Sequence, residues 1–434
     1  MEGSSGQARG AGCPARAEGG VSRAQRWAST MAGRPEGATV LAHADDPGVR
    51  VGPVAGAVVG REAREEREEA ALTPGATRSR GAGRRRREET ADPWRTCFER
   101  DRDRILHSAP FRRLAGKTQV FVYPRDHQRT RLTHALEVAQ VATAASRALG
   151  LNVALTEAIA LGHDCGHGPG GHASEDAFSP YLPGGYDHAI WGADVVLAPL
   201  NLCEETLDGI RHHSWSLPSP LTPEGQVVSW ADRCAYSAHD FEDAVSAGLV
   251  EESDLPAAVS QVAGTTRSAQ LNAFVTSLVQ TTATTGLVSM ATDVAGALAE
   301  LRRFNYERVY TQPRSLAQGQ AVVSVLRALV EFYAEDPARL DPVPPGRCGP
   351  GVGGRRLPPG EPPAPEVTGD EGGEALRRAV AYVAGMTDRF AFETAVERLG
   401  WDPRRLPRGV DVAGGAGGEP AGTEPGRIAG GPGR

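Results

Sequence analysis

Any fold of this chain has to bring three distant segments to one point, because its metal-type side chains are dispersed. They are His134, then His163-Asp164 side by side, then Asp232, with gaps of 29 residues from His134 to His163 and 68 from Asp164 to Asp232. Two neutral imidazoles and two carboxylates suit a hard or borderline divalent ion, and they leave coordination positions open for water and a phosphate oxygen. An HD dipeptide by itself carries no information, and a single His on an apolar helix is more often a packing residue. The joint pattern overturns that reading. A His on one helix is followed by a helix ending in His-Asp, then by the run Gly162-His163-Asp164-Cys165-Gly166-His167-Gly168-Pro169-Gly170-Gly171-His172-Ala173-Ser174-Glu175, then by an Asp on a later helix.

Periodicity predicts the helices that carry these residues. Leu132, Leu136, Ala139, Val141, Ala145 and Leu149 recur at helical spacing from Arg131, and Gly150 is a suitable stop. A second helix over Ala154–Gly162 delivers His163-Asp164 at its end. Asp187 opens a helical stretch through Leu197, and Asn201 is expected to cap one running to about His213. Thr222-Pro223 starts a helix that presents Asp232, Tyr236 and Asp240 on one face. Windows 267–283, 287–310, 314–335 and 374–399 also read as helices, and only Thr118–Val122 hints at a strand. The predicted class is all-α.

Composition sets the expected boundaries. Residues 1–92 are mostly Gly, Ala, Arg and Glu, too poor in large apolar side chains to offset the entropy of ordering, and read as a disordered tail. A core is expected over 93–340, a Pro/Gly-rich flexible insertion over 341–373, a helical segment packing on the core over 374–403, and a second tail over 404–434. A net charge of −7 makes no general case for nucleic-acid binding. The run Arg84-Arg85-Arg86-Arg87 is followed directly by Glu88 and Glu89 and reads as solvated. Six cysteines without CxxC spacing fit a reducing compartment, with Cys165 a small packing residue. With no signal-peptide core and no apolar span, the expected location is cytoplasmic.

Six stretches together resemble the HD-domain deoxynucleoside triphosphate triphosphohydrolases, the dGTPase-like group. They are Arg100 to Ile105, Phe111 to Phe121 with its Lys117-Thr118-Gln119-Val120 element, Arg129 to His134, Gly162 to Glu175, Ala231 to Tyr236, and Asn305 to Tyr310. A weaker echo lies in Ala379 to Arg389. The resemblance implies an HD-domain helical fold with His134, His163, Asp164 and Asp232 as ligands of a divalent ion. Mg²⁺ or Mn²⁺ is the first expectation, and Fe²⁺, Co²⁺ or Zn²⁺ also suit such a site. It implies water attack at the α-phosphorus of a dNTP, dGTP by default, releasing triphosphate and a deoxynucleoside. His172 matches the catalytic histidine, Glu175 the residue that orients it, and His188 a further member of the relay. His167 and Arg131 match phosphate contacts, with a structural ion pair the plain alternative for Arg131. Tyr236 matches the residue under the deoxyribose, Gln119 and Asp240 the pair on its 3′-hydroxyl, and Tyr306 and Tyr310 line the pocket or pack in the core. The family further implies a homo-oligomer, and single-stranded DNA or an allosteric dNTP as secondary ligands. Two departures stand out. Gly170 occupies the place of an aromatic, which is expected to enlarge or loosen the loop, and His212-His213 replaces a single His and reads as surface residues at a helix end.

Overall fold

The computed structural model describes residues 22–30, 33–43, 48, 52, 58–124, 127–340 and 371–407. The chain divides into two units, Met1–Val58 and Val59–Arg434. The first holds helix α1 (Arg23–Thr30) and an antiparallel hairpin, β1 (Arg34–Glu36) with β2 (Thr39–Leu41), in which Arg34 pairs with Leu41.

The regular elements of the second unit's described residues are all helical, apart from isolated bridges. Its elements begin with α2 (Arg61–Ala71), α3 (Cys97–Leu106), α4 (Ala109–Arg113), α5 (Arg131–Leu149) and α6 (Val153–Gly162). Short helices α7 (Ala173–Phe178), α8 (His188–Trp191) and α9 (Glu204–Arg211) precede the long α10 (Pro223–Ser246). Then come α11 (Ala257–Ala263), α12 (Arg267–Thr285), α13 (Thr292–Asn305), α14 (Pro313–Glu335), α15 (Glu371–Ala384) and α16 (Asp388–Leu399).

Capping chemistry fixes the ends of the site-bearing helices. Thr130 accepts from the Thr133 amide to open α5, and Gly150 closes it at φ 65°, a conformation costly for any residue with a Cβ. Asn152 accepts from Leu155 N to start α6, Thr222 from Gly225 N to start α10, and Asp187 from the amides of Ala189 and Ile190 to start α8. Each such cap contributes about 1 kcal/mol. The all-α class therefore stands.

Two apolar cores flank the site. One joins α3, α5, α6 and α9–α13 through residues such as Phe98, Ile105, Leu155, Ile159 and Phe274. The other joins α7, α14, α15 and α16 through Phe178, Val322, Leu326, Val380 and Phe392.

Several expectations are corrected here. Residues 59–92 are not part of a disordered tail: α2 and the strap that follows it belong to the second unit. Besides Leu72, Ala76 and Ala82, which touch the core, what holds them is polar, which an argument from apolar content misses. Arg85, inside the basic run expected to be solvated, forms a buried ion pair with Asp101, the side chains being 7% and 0% exposed. Thr77 N and Asn152 N both donate to Glu224 Oε1, at 3.0 and 2.9 Å, and the Asn152 amide donates to Thr77 O at 2.9 Å. Asn201 does not open α9: at φ 53° it closes the short 3-10 turn Ala198–Leu200, and Cys203 takes the N-cap position. Thr118–Val122 forms no strand, only an isolated bridge of Thr118 to Thr130. The window 374–399 is two helices, because the chain turns at Gly385–Thr387. Residues 341–370 of the expected insertion and 408–434 of the expected tail lie outside the described residues.

Candidate functional site

His134 sits one turn into α5, His163 at the C-cap of α6 with Asp164 next to it, and Asp232 midway along α10. The packing of α5 against both α6 and α10 brings the four together. His134 Nε2 lies 3.0 Å from Asp232 Oδ1, and His163 Nε2 lies 3.5 Å from Asp164 Oδ1 and 3.6 Å from Asp232 Oδ1. His163 Nδ1 is 2.7 Å from the Ala160 carbonyl, which fixes its proton there and leaves the Nε2 lone pair facing the carboxylates. That Nε2 is buried and unpartnered. A buried lone pair among two carboxylates and a second imidazole is a poor arrangement for protein atoms alone and a good one around a divalent cation. The residues present thus fit a metal ion.

The charge states agree. Burial works against ionised Asp164, yet Arg131 and the neighbouring histidines hold it well below the ordinary carboxylate range. Burial likewise opposes ionised Asp232, and the hydrogen bond with His134 leads the contacts that lower it. Both carboxylates are anionic at neutral pH, as ligands must be.

A second cluster borders the first. Glu175 accepts from the His188 ring at 2.6 Å and from the His188 amide at 3.0 Å, and more distantly from His172 at 3.4 Å. Glu175 therefore orients His188 more tightly than His172. The His172 side chain is 72% exposed at the cavity mouth, free to meet a ligand. His167 stacks on His188 with ring centroids 3.7 Å apart, and its Nε2 lies 3.3 Å from Asp164 Oδ1. Burial, Arg131 and His188 keep His167 neutral, well below an ordinary histidine.

His213 is the residue the sequence reading placed wrongly. It is not at the surface but 3% exposed, with its ring centroid 5.0 Å from that of His163 and its Nε2 3.2 Å from His188 Nε2. Its Nδ1 faces the Ile210 carbonyl at 2.8 Å, so its Nε2 is an acceptor. Burial, together with His163 and His188, lowers His213 to about 3. His188 must then donate from both nitrogens, to Glu175 and to His213, which requires the imidazolium form. Burial opposes that form, but the Glu175 hydrogen bond and charge raise His188 above the ordinary value. The signal was present in the His212-His213 doublet. Which of the two points inward depends on the last turn of α9.

Both clusters open into one cavity of about 510 Å³ lined by residues of α5, α10, α13 and the glycine-rich loop. Gln119, Arg131, Tyr236, Asp240, Tyr306 and Tyr310 all line it, so of the two readings open for Tyr306 and Tyr310 the structure puts them at the cavity wall. Arg131 forms the ion pair that was the plain alternative for it and keeps donors to spare. One guanidinium nitrogen pairs with Asp164 at 2.8 Å, while Nε and Nη2 are buried without partners. Gln119 Oε1 and Asp240 Oδ1 are also buried and unpartnered. Tyr310 donates to the other Asp240 oxygen. Burial pushes the Asp240 carboxyl up to about 7 even though that hydrogen bond opposes the rise.

Two arginines escaped the sequence reading. Arg302 donates to the Tyr236 hydroxyl at 2.8 Å, and Arg233 stacks 3.6 Å from the Trp215 ring centroid. Both line the cavity. Arg302 belongs to no motif, so only the packing of α13 on α10 reveals it.

Gly170 is corrected as well. Its loop is not loosened: φ is +73°, a Cβ there would collide with the Val322 side chain of α14, and its N–H donates to Asp388 at 2.8 Å.

Family models agree with this architecture. The HD domain matches residues 131–237, the span from Arg131 to Ser237 that holds all four metal-type ligands, and the phosphohydrolase-associated domain matches residues 288–348. A protein of Caldanaerobacter subterraneus subsp. tengcongensis is 40% identical over 339 residues, covering 76% of this chain and 93% of its own. One of Clostridium tetani is 41% identical over 293 residues, with 64% and 84% covered. One of Paracoccus denitrificans is 34% identical over 385 residues, with 73% and 96% covered. All three are named deoxyguanosinetriphosphate triphosphohydrolase-like proteins. With a matching HD domain, an intact set of ligand-type residues and relatives alike over nearly their full length, the chain belongs to the deoxyguanosinetriphosphate triphosphohydrolase-like family of HD-domain phosphohydrolases.

Proposed function

We propose that the protein hydrolyses deoxynucleoside triphosphates, dGTP first among them, to the deoxynucleoside and inorganic triphosphate. The observation that carries this reading is the convergence of unpartnered buried groups in one cavity beside the His/Asp cluster. Gln119 Oε1 and Asp240 Oδ1 are acceptors suited to a sugar hydroxyl, and Arg131 Nε and Nη2 are donors suited to a phosphate oxygen.

His134, His163, Asp164 and Asp232 would hold the divalent ion. The chemistry such an ion supplies when bound is polarisation of a phosphoryl oxygen and a lowered pKa for water. Arg131 binds the α-phosphate, and Arg233 and Arg302 add positive charge along a path that a triphosphate can occupy. Tyr236, fixed by Arg302, packs against the deoxyribose. His172 stands where it can hold a proton toward the departing 5′-oxygen, and His188, charged and locked between Glu175 and His213, sets the electrostatics around it.

The test is to incubate metal-loaded protein with each dNTP and each ribonucleotide and to separate the products by anion exchange. Intact triphosphate with deoxynucleoside, from dNTPs in preference to NTPs, is the expected result. Monophosphate with pyrophosphate would move the cut to another bond and make this a different phosphoester hydrolase. No product, even with a second dNTP added as activator, would turn the reading toward a nucleotide-binding protein.

A further inference from the structure

The motif Ala384-Gly385-Met386-Thr387-Asp388 takes no part in the chemistry above, yet it reaches two walls of the cavity. Asp388 is 5% exposed at the first turn of α16. Its Oδ2 accepts from the Thr118 amide at 3.0 Å and from the Thr118 hydroxyl, and its Oδ1 accepts from Gly170 N at 2.8 Å. One turn away, the Ala384 carbonyl accepts from Lys117 Nζ at 3.1 Å, and the same nitrogen donates to the His167 carbonyl. Thr118 precedes Gln119 on one wall. Gly170 lies between His167 and His172 on the other. A single carboxylate thus holds, by three hydrogen bonds, the backbone that aims Gln119 and the loop that aims His172.

We propose that Asp388 is a positioning residue that sets the spacing between these two walls, so that the segment following residues 341–370 governs sugar selection without touching substrate. The clause about sugar rests on the triphosphohydrolase reading; the clamp itself does not. A buried carboxylate with three donors tolerates no amide in its place, because an Asn NH₂ would face an N–H already committed as donor. Thr118 offers a milder probe: Thr118→Ser keeps the hydroxyl donor, and Thr118→Val removes it at nearly constant shape.

Hydrogen–deuterium exchange on the full chain, paired with kinetics on deoxy and dideoxy nucleotides, decides the matter. In Asp388→Asn, peptides covering 117–122 and 166–173 are expected to exchange about 10-fold faster, with α5 and α10 unchanged. The ratio of kcat/KM for deoxy over dideoxy substrate is expected to fall about 10-fold. Thr118→Val should show a smaller change of the same kind, and Thr118→Ser should restore wild-type behaviour. A folded Asp388→Asn protein whose two peptides exchange at the wild-type rate would overturn the clamp. If Asp388→Asn does not fold, equal behaviour of Thr118→Val and Thr118→Ser overturns it, and rescue by serine alone supports it. Should the wild type cleave no nucleotide, the functional reading fails while the exchange data still decide the clamp.

Discussion

At the scale of single residues, the site combines groups stabilised by their neighbours with one that destabilises the fold. His163 belongs to the first kind, with its tautomer fixed by Ala160 O and its Nε2 turned to the carboxylates. His163→Ala is expected to reduce turnover at least ~10³-fold and to weaken Mn²⁺ binding measured by calorimetry. Wild-type metal affinity in that variant would remove His163 from the ligand set. Asp240 belongs to the second kind. Its carboxyl, ordinarily at 3.8, is pushed to about 7 by burial. The folded state therefore holds the proton more tightly than the unfolded state. The associated stability is fully present below 3.8 and is lost as pH rises through about 7. Asp240→Asn keeps an oxygen for Tyr310 and abolishes the titration. It should raise Tm by about 2 °C or more at pH 8, and by less at pH 5. An equal shift at both pH values, followed by calorimetry, would show that ionisation is not the source. The same substitution should cost turnover, since an amide presents its acceptor in only one direction.

At the scale of elements, the glycine-rich loop between α6 and α7 is held from outside rather than by its own hydrogen bonds alone. Gly170 is pinned by Val322 of α14 and by Asp388 of α16. Gly170→Ala meets both a positive φ and a steric clash, and is expected to destabilise by about 2–3 kcal/mol. Adding Val322→Ala should recover the steric part and leave the backbone strain. Urea unfolding of the single and double variants checks this, and full recovery in the double variant would show that φ costs nothing here. The contrast with α10 is instructive. The i, i+4, i+8 spacing of Asp232, Tyr236 and Asp240 implies a common face, and all three do line the cavity. A helix converts spacing into direction, whereas a glycine-rich loop does not.

At the scale of the whole molecule, the strap over 72–92 supplies partners for charges buried elsewhere in the second unit. Removing residues 1–58 should leave melting and turnover of the remaining unit near those of the full chain. Removing 1–92 should cost several kcal/mol, because Asp101 loses Arg85 and Glu224 loses Thr77. Breaking one buried pair costs about 3–5 kcal/mol. Melting curves of the two truncations check this, and equal Tm values would show that the strap is dispensable. The sequence alone determined the helical class, both ends of α5, the end of α6 and the start of α10, the family resemblance and the residues of the metal-type cluster. Each of these is written in local spacing, capping residues or motif, which survive without knowledge of the fold. Tertiary structure alone decided the inward turn of His213, the arrival of Arg233 and Arg302, the order of the strap and the reach of Asp388 to Thr118 and Gly170. These depend on contacts between residues as far apart as 270 positions in the chain, and helix packing, not local chemistry, selects which of them meet.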